Sequence, residues 1–355
     1  FSLHHRNELD TLQKALRDYS GCSVLIYQQA CAAEKRRKRK KTGLNSRPRR
    51  VVIHEEICEG CGDCSAQSNC LSVLPKATPL GRKRQIDQHS CNLDYSCVKG
   101  FCPSFVSVLN AVPKQRTAED NIEILFEPLP AVSLPDLTRP WNTVVSGVGG
   151  TGVLTVTALI AMAAHIENKG CATLNQSGLA QKFGAVVSHV RIAQQQEDIK
   201  AVRVPAGEAD LLLGCDLVVS TGYDTMGKTA IGRTHAIIND AALPTAAFIH
   251  NPDAELPTAT MRAHIEEQTG ATNVVFVNAT EIAEQLLGDS LYVNLFLLGV
   301  AFQQGKIPVS AAALEAAIEL NGKSTAANQK ALLMGRRYAV WPDRVLAMLP
   351  SSGSE

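Results

Sequence analysis

Net charge is almost absent from this chain. Its 355 residues carry 35 Lys and Arg against 34 Asp and Glu, a formal charge of +1 at pH 7. Such a balance exerts no global pull towards nucleic acid, so a nucleic-acid partner is not expected. A long uninterrupted apolar run is missing too. Val144 to Ile166 comes nearest to a bilayer span, but Gly147, Gly149, Gly150 and Gly152 break its first half. It reads as strand, glycine turn and helix, and no membrane partner is expected. Internal repeats are lacking. No signal peptide opens the sequence, so a reducing cytoplasm is the expected compartment. The chain opens on Phe1, in what reads as the middle of a domain, and a piece of a longer protein is expected.

What is present divides the chain. At 45% hydrophobic content and this length, two or three domains with a well-buried core are expected. Residues 1–41 read as a helix through Leu9, Leu12 and Leu16, a strand Val24 to Tyr27, and a basic run Lys35-Arg-Arg-Lys-Arg-Lys-Lys41. That run is either a nuclear-localisation or phosphate-binding segment, or a solvated basic helix end. Without it the remainder is net negative. A linker over 42–50 leads to a cysteine domain over 51–110 and a proline-punctuated connector over 111–140, with a short strand Ile122 to Phe126. Residues 141–345 alternate apolar strands and helices, the signature of an α/β unit with a largely parallel sheet; a disordered tail is expected over 346–355. Expected strands are Thr143–Ser146, Ala172–Leu174, Val186–Ile192, Leu217–Ser220, Ala236–Ile238, Ala246–Ile249 and Val274–Val277. Expected helices follow the glycine turn and fill Ala259–Gln268, Glu281–Leu287, Leu291–Gln303, Ala311–Glu319 and Thr325–Ala339.

Seven of the eleven cysteines fall between Ile57 and Pro103, beginning Cys58-Glu-Gly-Cys61-Gly-Asp-Cys64. C-x2-C-x2-C spacing suits a [4Fe-4S] cluster, because two-residue spacers let one short loop supply three corners of a compact cube. Gly60 and Gly62 allow the tight turns and can aim N–H groups at sulfur. The Cys102-Pro103 pair closes the run as in ferredoxin-type folds, so Cys58, Cys61, Cys64 and Cys102 form the expected ligand set. Cys70, Cys91 and Cys97 remain, one short of a second set. They are a second cluster with a non-cysteine ligand or a missing iron, a small separate metal site, or free thiols. Zinc is the rival metal, but it prefers paired CxxC units, and the triplet gives the first pair one thiolate too many. Cys22, Cys31, Cys171 and Cys215 sit in apolar company and read as small buried residues.

Gly147-Val-Gly149-Gly150-Thr151-Gly152 matches G-x-G-x-x-G between a strand and a helix, a context for anion capture by backbone N–H groups. A dinucleotide site also wants an acidic residue after the next strand, and here Asn175-Gln176-Ser177 follows instead, so a plain dinucleotide site is discounted. Glycines that merely let the helix pack close to the sheet are the alternative. Asn175, Gln176, Ser177, Gln181 and Lys182 are expected beside the turn at the carboxyl edge of the sheet, where ligand crevices form in such folds.

Gly147-Val-Gly-Gly-Thr-Gly-Val-Leu154 and Gln176-Ser-Gly-Leu-Ala-Gln-Lys-Phe-Gly184 resemble the gamma domain of the 2-oxoacid:ferredoxin oxidoreductases, as do Ala317-Ile-Glu-Leu-Asn-Gly322 and Met334-Gly-Arg-Arg337. The cysteine stretch, with Gly100-Phe-Cys-Pro-Ser-Phe105, is similar to the fused, single-chain indolepyruvate ferredoxin oxidoreductases. Val24 to Tyr27 and Cys31 to Arg37 resemble the end of their thiamine-diphosphate-binding domain. The resemblance implies a ferredoxin-like iron–sulfur segment followed by an α/β gamma-type domain. It also implies oxidative decarboxylation of an aryl 2-oxo acid, with electrons leaving through [4Fe-4S] to an external ferredoxin and coenzyme A taking the acyl group. A homodimer is typical of that family. Nothing here matches the Gly-Asp-Gly…Asn motif that holds magnesium and thiamine diphosphate, so both are expected only in an upstream part, and this segment alone is expected to be inactive. The rival reading is a non-catalytic iron–sulfur electron-transfer adaptor carrying an α/β interaction domain.

Overall fold

The computed structural model describes residues 1–31, 34–35, 38, 49–88, 90–111, 126–178, 184–241, 248, 251 and 254–349. Two compact units divide the chain, Phe1–Pro48 and Arg49–Glu355. The first holds the expected amphipathic helix, Leu9–Arg17. Val24 to Tyr27 is not a strand: it forms no ladder among the described residues, and Val24 and Ile26 are exposed. A β-prone run without a pairing partner has no hydrogen bonds to fix it. Of the basic run only Lys35 and Lys38 fall within the described residues.

The second unit opens with the cysteine segment. Strand β1 (Arg49–Ile53) is followed by a short helix, Asp63–Ser68, and by strands β2 (Val73–Thr78) and β3 (Gly81–Ile86). A 3-10 turn, Ser96–Val98, then leads into β4 (Phe105–Leu109). β1 pairs antiparallel with β4, and β2 with β3. Two antiparallel pairs with short helices between them are compatible with a ferredoxin-like segment. Residues 126–140 form neither helix nor strand. They lie on the α/β part: the Phe126 ring sits 5.6 Å from that of Trp341, and Gln303 donates to the Pro130 carbonyl at 2.8 Å. The strand expected over Ile122 to Phe126 falls outside the described residues apart from Phe126.

Six strands build the main sheet: β5 (Trp141–Val148), β6 (Gly170–Ser177), β7 (Ala185–Ala193), β8 (Leu211–Gly214), β9 (His235–Asn239) and β10 (Val274–Val277). Their order is β10-β9-β8-β5-β7-β6. The three pairings from β10 to β5 are parallel, and β5–β7 and β7–β6 are antiparallel. Both faces are covered, which explains why the central strands read as continuous apolar runs. Val145, Leu211, Leu213 and Ile237 face one core with helices Val153–Ile166, Val293–Gln303, Ala311–Asn321 and Thr325–Val340. Val144, Leu212, Ala236 and Ile238 face the other with Leu217, Met226 and Ile265.

One strand expectation is overturned. Leu217–Ser220 is a helical turn, and the strand lies just before it at Leu211–Gly214. The reason is Asp216, whose carboxylate accepts the Val219 N–H at 2.9 Å and so caps a helix start. The helices expected from Ala259 onwards form, with Leu291 in a 3-10 turn and Ala283–Leu287 as a π-turn. The strand expected over Ala246–Ile249 lies outside the described residues except Phe248. A helix, Pro342–Ala347, closes the α/β stretch and runs as far as Ala347, just inside the stretch expected as tail. No helix among the described residues is long and apolar enough to cross a membrane.

Candidate functional site

The glycine turn closes β5 onto its helix as the pattern requires. Gly150 and Gly152 take φ of 88° and 105°, values that L side chains rarely adopt. A Cβ at Gly147 would press on the Val153 and Cys215 side chains. The turn is tied on three sides: Gly149 N–H donates to the Gly184 carbonyl at 2.7 Å, Thr151 Oγ1 to the Val148 carbonyl at 2.8 Å, and Asn294 Nδ2 to the Thr151 carbonyl at 3.2 Å.

Register brings the polar string to this edge. Gly147 pairs with Val186, and Val186 pairs with Ser177. Ser177 therefore stands two strand spacings, roughly 10 Å, from the turn. Asn175, Gln176 and Ser177 are all exposed there. Gln176 Oε1 also meets Nε2 of His189 at 3.0 Å. Gln181 and Lys182 lie outside the described residues.

Sequence reasoning missed three residues at the same edge. Asp216 is buried where β8 ends, and burial raises its carboxyl pKa against the opposing Val219 and Val218 N–H groups. Asn239 ends β9; its Nδ2 donates to the Cys215 carbonyl and Thr280 Oγ1, and its Oδ1 accepts from Ala279 and Thr280 N–H. Asn294 reaches the turn from a helix almost 150 residues later in the chain. For Asp216 and Asn239 the only sequence signal was a polar residue just beyond an apolar run, a pattern that also marks ordinary turns, and Asn294 sits inside an apolar run with no signal of its own.

In the cysteine segment Cys58 is buried, Cys61 is exposed, and Cys64 and Cys102 are half-buried. Gly60 N–H points at Cys58 Sγ at 3.4 Å, and a Cβ at Gly60 would collide with the Arg82 carbonyl. The loop thus needs glycine to bring its backbone donor to sulfur. Cys102 Sγ lies 3.0 Å from Ser104 Oγ. Burial raises the Cys64 thiol, opposed by Ser65 and by Arg84. Arg84 itself is buried with its guanidinium 4.6 Å over the Phe248 ring.

Cys70, Cys91 and Cys97 act on one another. Burial first, then Cys70 and Cys91, push Cys97 up to about 12, and burial first, then Cys70 among others, raises Cys91. The fourth cysteine of the first run therefore groups with the second run. Among the described residues no three His, Cys, Asp or Glu side chains are gathered closely enough to hold a metal ion. The donor set is nevertheless chemically that of a thiolate-held cluster, with a glycine cradle aimed at sulfur. Of the cysteines expected to be buried, Cys215 is, Cys171 is half-buried, and Cys22 and Cys31 are exposed, as is every residue from Arg17 to Cys31.

Comparison with known proteins matches the α/β part. The family profile of pyruvate ferredoxin/flavodoxin oxidoreductase covers residues 142–338. Indolepyruvate oxidoreductase subunit IorB of Archaeoglobus fulgidus is 31% identical over 205 residues, 56% of this chain and 95% of that protein. The Thermococcus kodakarensis subunit of the same name is 26% identical over 57% of this chain and 96% of its own length. Among solved structures, the gamma subunit of a keto/oxoacid ferredoxin oxidoreductase from Geobacter sulfurreducens is 20% identical, with a TM-score of 0.40 over 56% of this chain and 98% of that one. The 2-oxoglutarate:ferredoxin oxidoreductase of Magnetococcus marinus is 16% identical, with a TM-score of 0.42 over 57% of this chain and 31% of that one. The matched residues 142–338 contain the glycine turn and exclude the cysteine run from Cys58 to Cys102. On that match the chain belongs to the pyruvate ferredoxin/flavodoxin oxidoreductase family, its α/β part being related to the IorB subunits of indolepyruvate oxidoreductases.

Proposed function

We propose that this chain is part of an enzyme that oxidatively decarboxylates an aryl 2-oxo acid of the indolepyruvate type. The observation that carries the reading is the joining, in one chain, of a gamma-type part to a cysteine run with cluster spacing. Thiamine diphosphate and Mg2+ belong to an upstream part. Cys58, Cys61, Cys64 and Cys102 would hold a [4Fe-4S] cluster, which supplies one-electron transfer towards an external ferredoxin. A second site would use Cys70, Cys91 and Cys97.

The chain's own residues do the rest. Gly60 N–H points at the Cys58 sulfur at 3.4 Å, a backbone donor aimed at the first of these ligands. The turn at Gly147, Gly149, Gly150, Thr151 and Gly152 presents a helix N-terminus to an anionic group of coenzyme A. Asn175, Gln176 and Ser177 line the approach at the carboxyl edge, Gln181 and Lys182 of the same string are further candidates, and Asp216 and Asn239 tie the strand ends to the turns that follow. A cytoplasmic homodimer completes the reading.

The test supplies the missing thiamine-binding part and follows viologen dye reduction. Reduction that requires both an aryl 2-oxo acid and coenzyme A is expected. Absence of turnover with any aryl or branched 2-oxo acid sinks the enzyme reading and leaves an iron–sulfur electron-transfer adaptor with an α/β interaction domain.

A further inference from the structure

We propose that the cleft between the segment Arg203–Ala206 and the turn Tyr223–Lys228 binds a mononucleotide through its phosphate. The cavity holds about 340 Å³ and is lined by Arg203, Pro205, Ala206, Tyr223, Asp224 and Lys228. That volume lies at the small end of ligand pockets and leaves room for a mononucleotide.

The charges in the cleft are left open. Neither the Arg203 guanidinium nor the Lys228 ammonium has a hydrogen-bond or ion-pair partner among the described residues. Asp224 and Lys228 stand four residues apart, the spacing of helical ion pairs, yet no ion pair joins them. The helix Tyr223–Met226 ends before Lys228, so the pair does not share a continuous helix. Two cations facing one cavity are a site for an anion with two or more acceptor oxygens.

The floor adds no charge of its own near neutral pH. His189 lies fully buried beneath, its Nδ1 facing the Val204 N–H at 3.4 Å. Burial first, then Lys228 and Arg203, hold its pKa down to about 4, against the opposing pull of Asp224. On the rim the Tyr223 ring is 91% exposed, an unpacked aromatic face on which a base can stack. Asp224 beside it offers an acceptor to sugar hydroxyls.

This cleft is not the glycine turn. Val204 and Met226 belong to the core on one face of the sheet, and the helix that follows the glycine turn packs on the other. The cleft is therefore a different place from the turn, although His189 behind it also meets Gln176 Oε1 of the carboxyl edge at 3.0 Å.

Isothermal titration of the full chain with adenosine monophosphate, adenosine and inorganic phosphate tests it. Saturable one-to-one binding of adenosine monophosphate is expected, with adenosine much weaker. The double variant Arg203→Ala/Lys228→Ala should weaken it at least about tenfold, the loss of one or more charge-assisted hydrogen bonds. Tyr223→Ala should weaken adenosine monophosphate and leave inorganic phosphate unchanged, and Asn175→Ala at the glycine-turn edge should change neither. Circular dichroism of each variant confirms the fold. The proposal is overturned if adenosine monophosphate shows no saturation into the millimolar range, or if the double variant binds it as the parent does. It is equally overturned if Asn175→Ala, in place of the double variant, abolishes binding.

Discussion

Gly335 and Phe296 meet backbone to backbone where the helix Thr325–Val340 crosses Val293–Gln303. A Cβ on Gly335 would run into the Phe296 carbonyl, and one on Gly299, a turn further along, would run into the Leu332 carbonyl. The two glycines let the helices approach closely over a core of Phe296, Leu297, Val300 and Leu332. Gly335→Ala gains helix propensity but must force the helices apart. Overpacking should dominate, with a loss of about 1–3 kcal/mol in urea unfolding at unchanged m-value. A variant as stable as the parent would contradict the close crossing.

Asp210 is the second predicted weak point. Its buried carboxylate accepts two bonds from Arg139 at 2.9 and 2.6 Å, one from Arg233 at 3.0 Å and the Asn142 N–H at 2.8 Å. It thereby ties the connector to the start of β5. Asp210→Asn removes the charge, and because Arg139 and Arg233 still reach water, a loss of about 2 kcal/mol is expected, below the full value for breaking a buried pair. Limited proteolysis should then cut near Arg139 faster than in the parent.

Stability should fall in mild acid through His189. Its folded pKa, about 4, lies below the usual 6.5. The unfolded chain therefore binds a proton first as pH drops. The histidine's contribution is fully present above about pH 6.5 and is lost as pH falls towards 4, by at most about 3 kcal/mol. His189→Gln should flatten the stability profile across that window, and an unchanged slope would show the decline to come from elsewhere.

The cysteine assignment predicts a colour. Cys61→Ser should bleach most of the brown absorbance of anaerobically purified protein, and Cys215→Ser, buried in the core of the α/β part, should leave it unchanged. Iron near four per chain indicates one cluster, and about seven or eight brings Cys70, Cys91 and Cys97 into a second. A colourless zinc protein would overturn the assignment.

Much of this could be read along the chain because the signals are local. The C-x2-C-x2-C triplet, the glycine turn before an apolar helix, and the alternation of apolar strands with helices each depend on residues within a few positions of one another. Where two apolar runs stood close together, as in Leu211 to Ser220, periodicity could not choose between strand and helix. Asp216 decided by capping the second run. Val24 to Tyr27 failed in the opposite way, since β-prone residues make a strand only where a partner strand is at hand.

Spacing alone raises the cluster reading of the cysteines and the anion-binding reading of the turn, because both rest on a single short loop. The tertiary structure decided what those loops face. Strand order set Ser177 in register with Gly147, with Asn175 and Gln176 just before it, and the end of β8 brought Asp216 to the same edge. Chain folding left Arg203 and Lys228 open on one cleft, and the Gly335 crossing fixed how closely the helices pack. Each of these joins residues far apart in sequence, and only the packing of a common core brings them together.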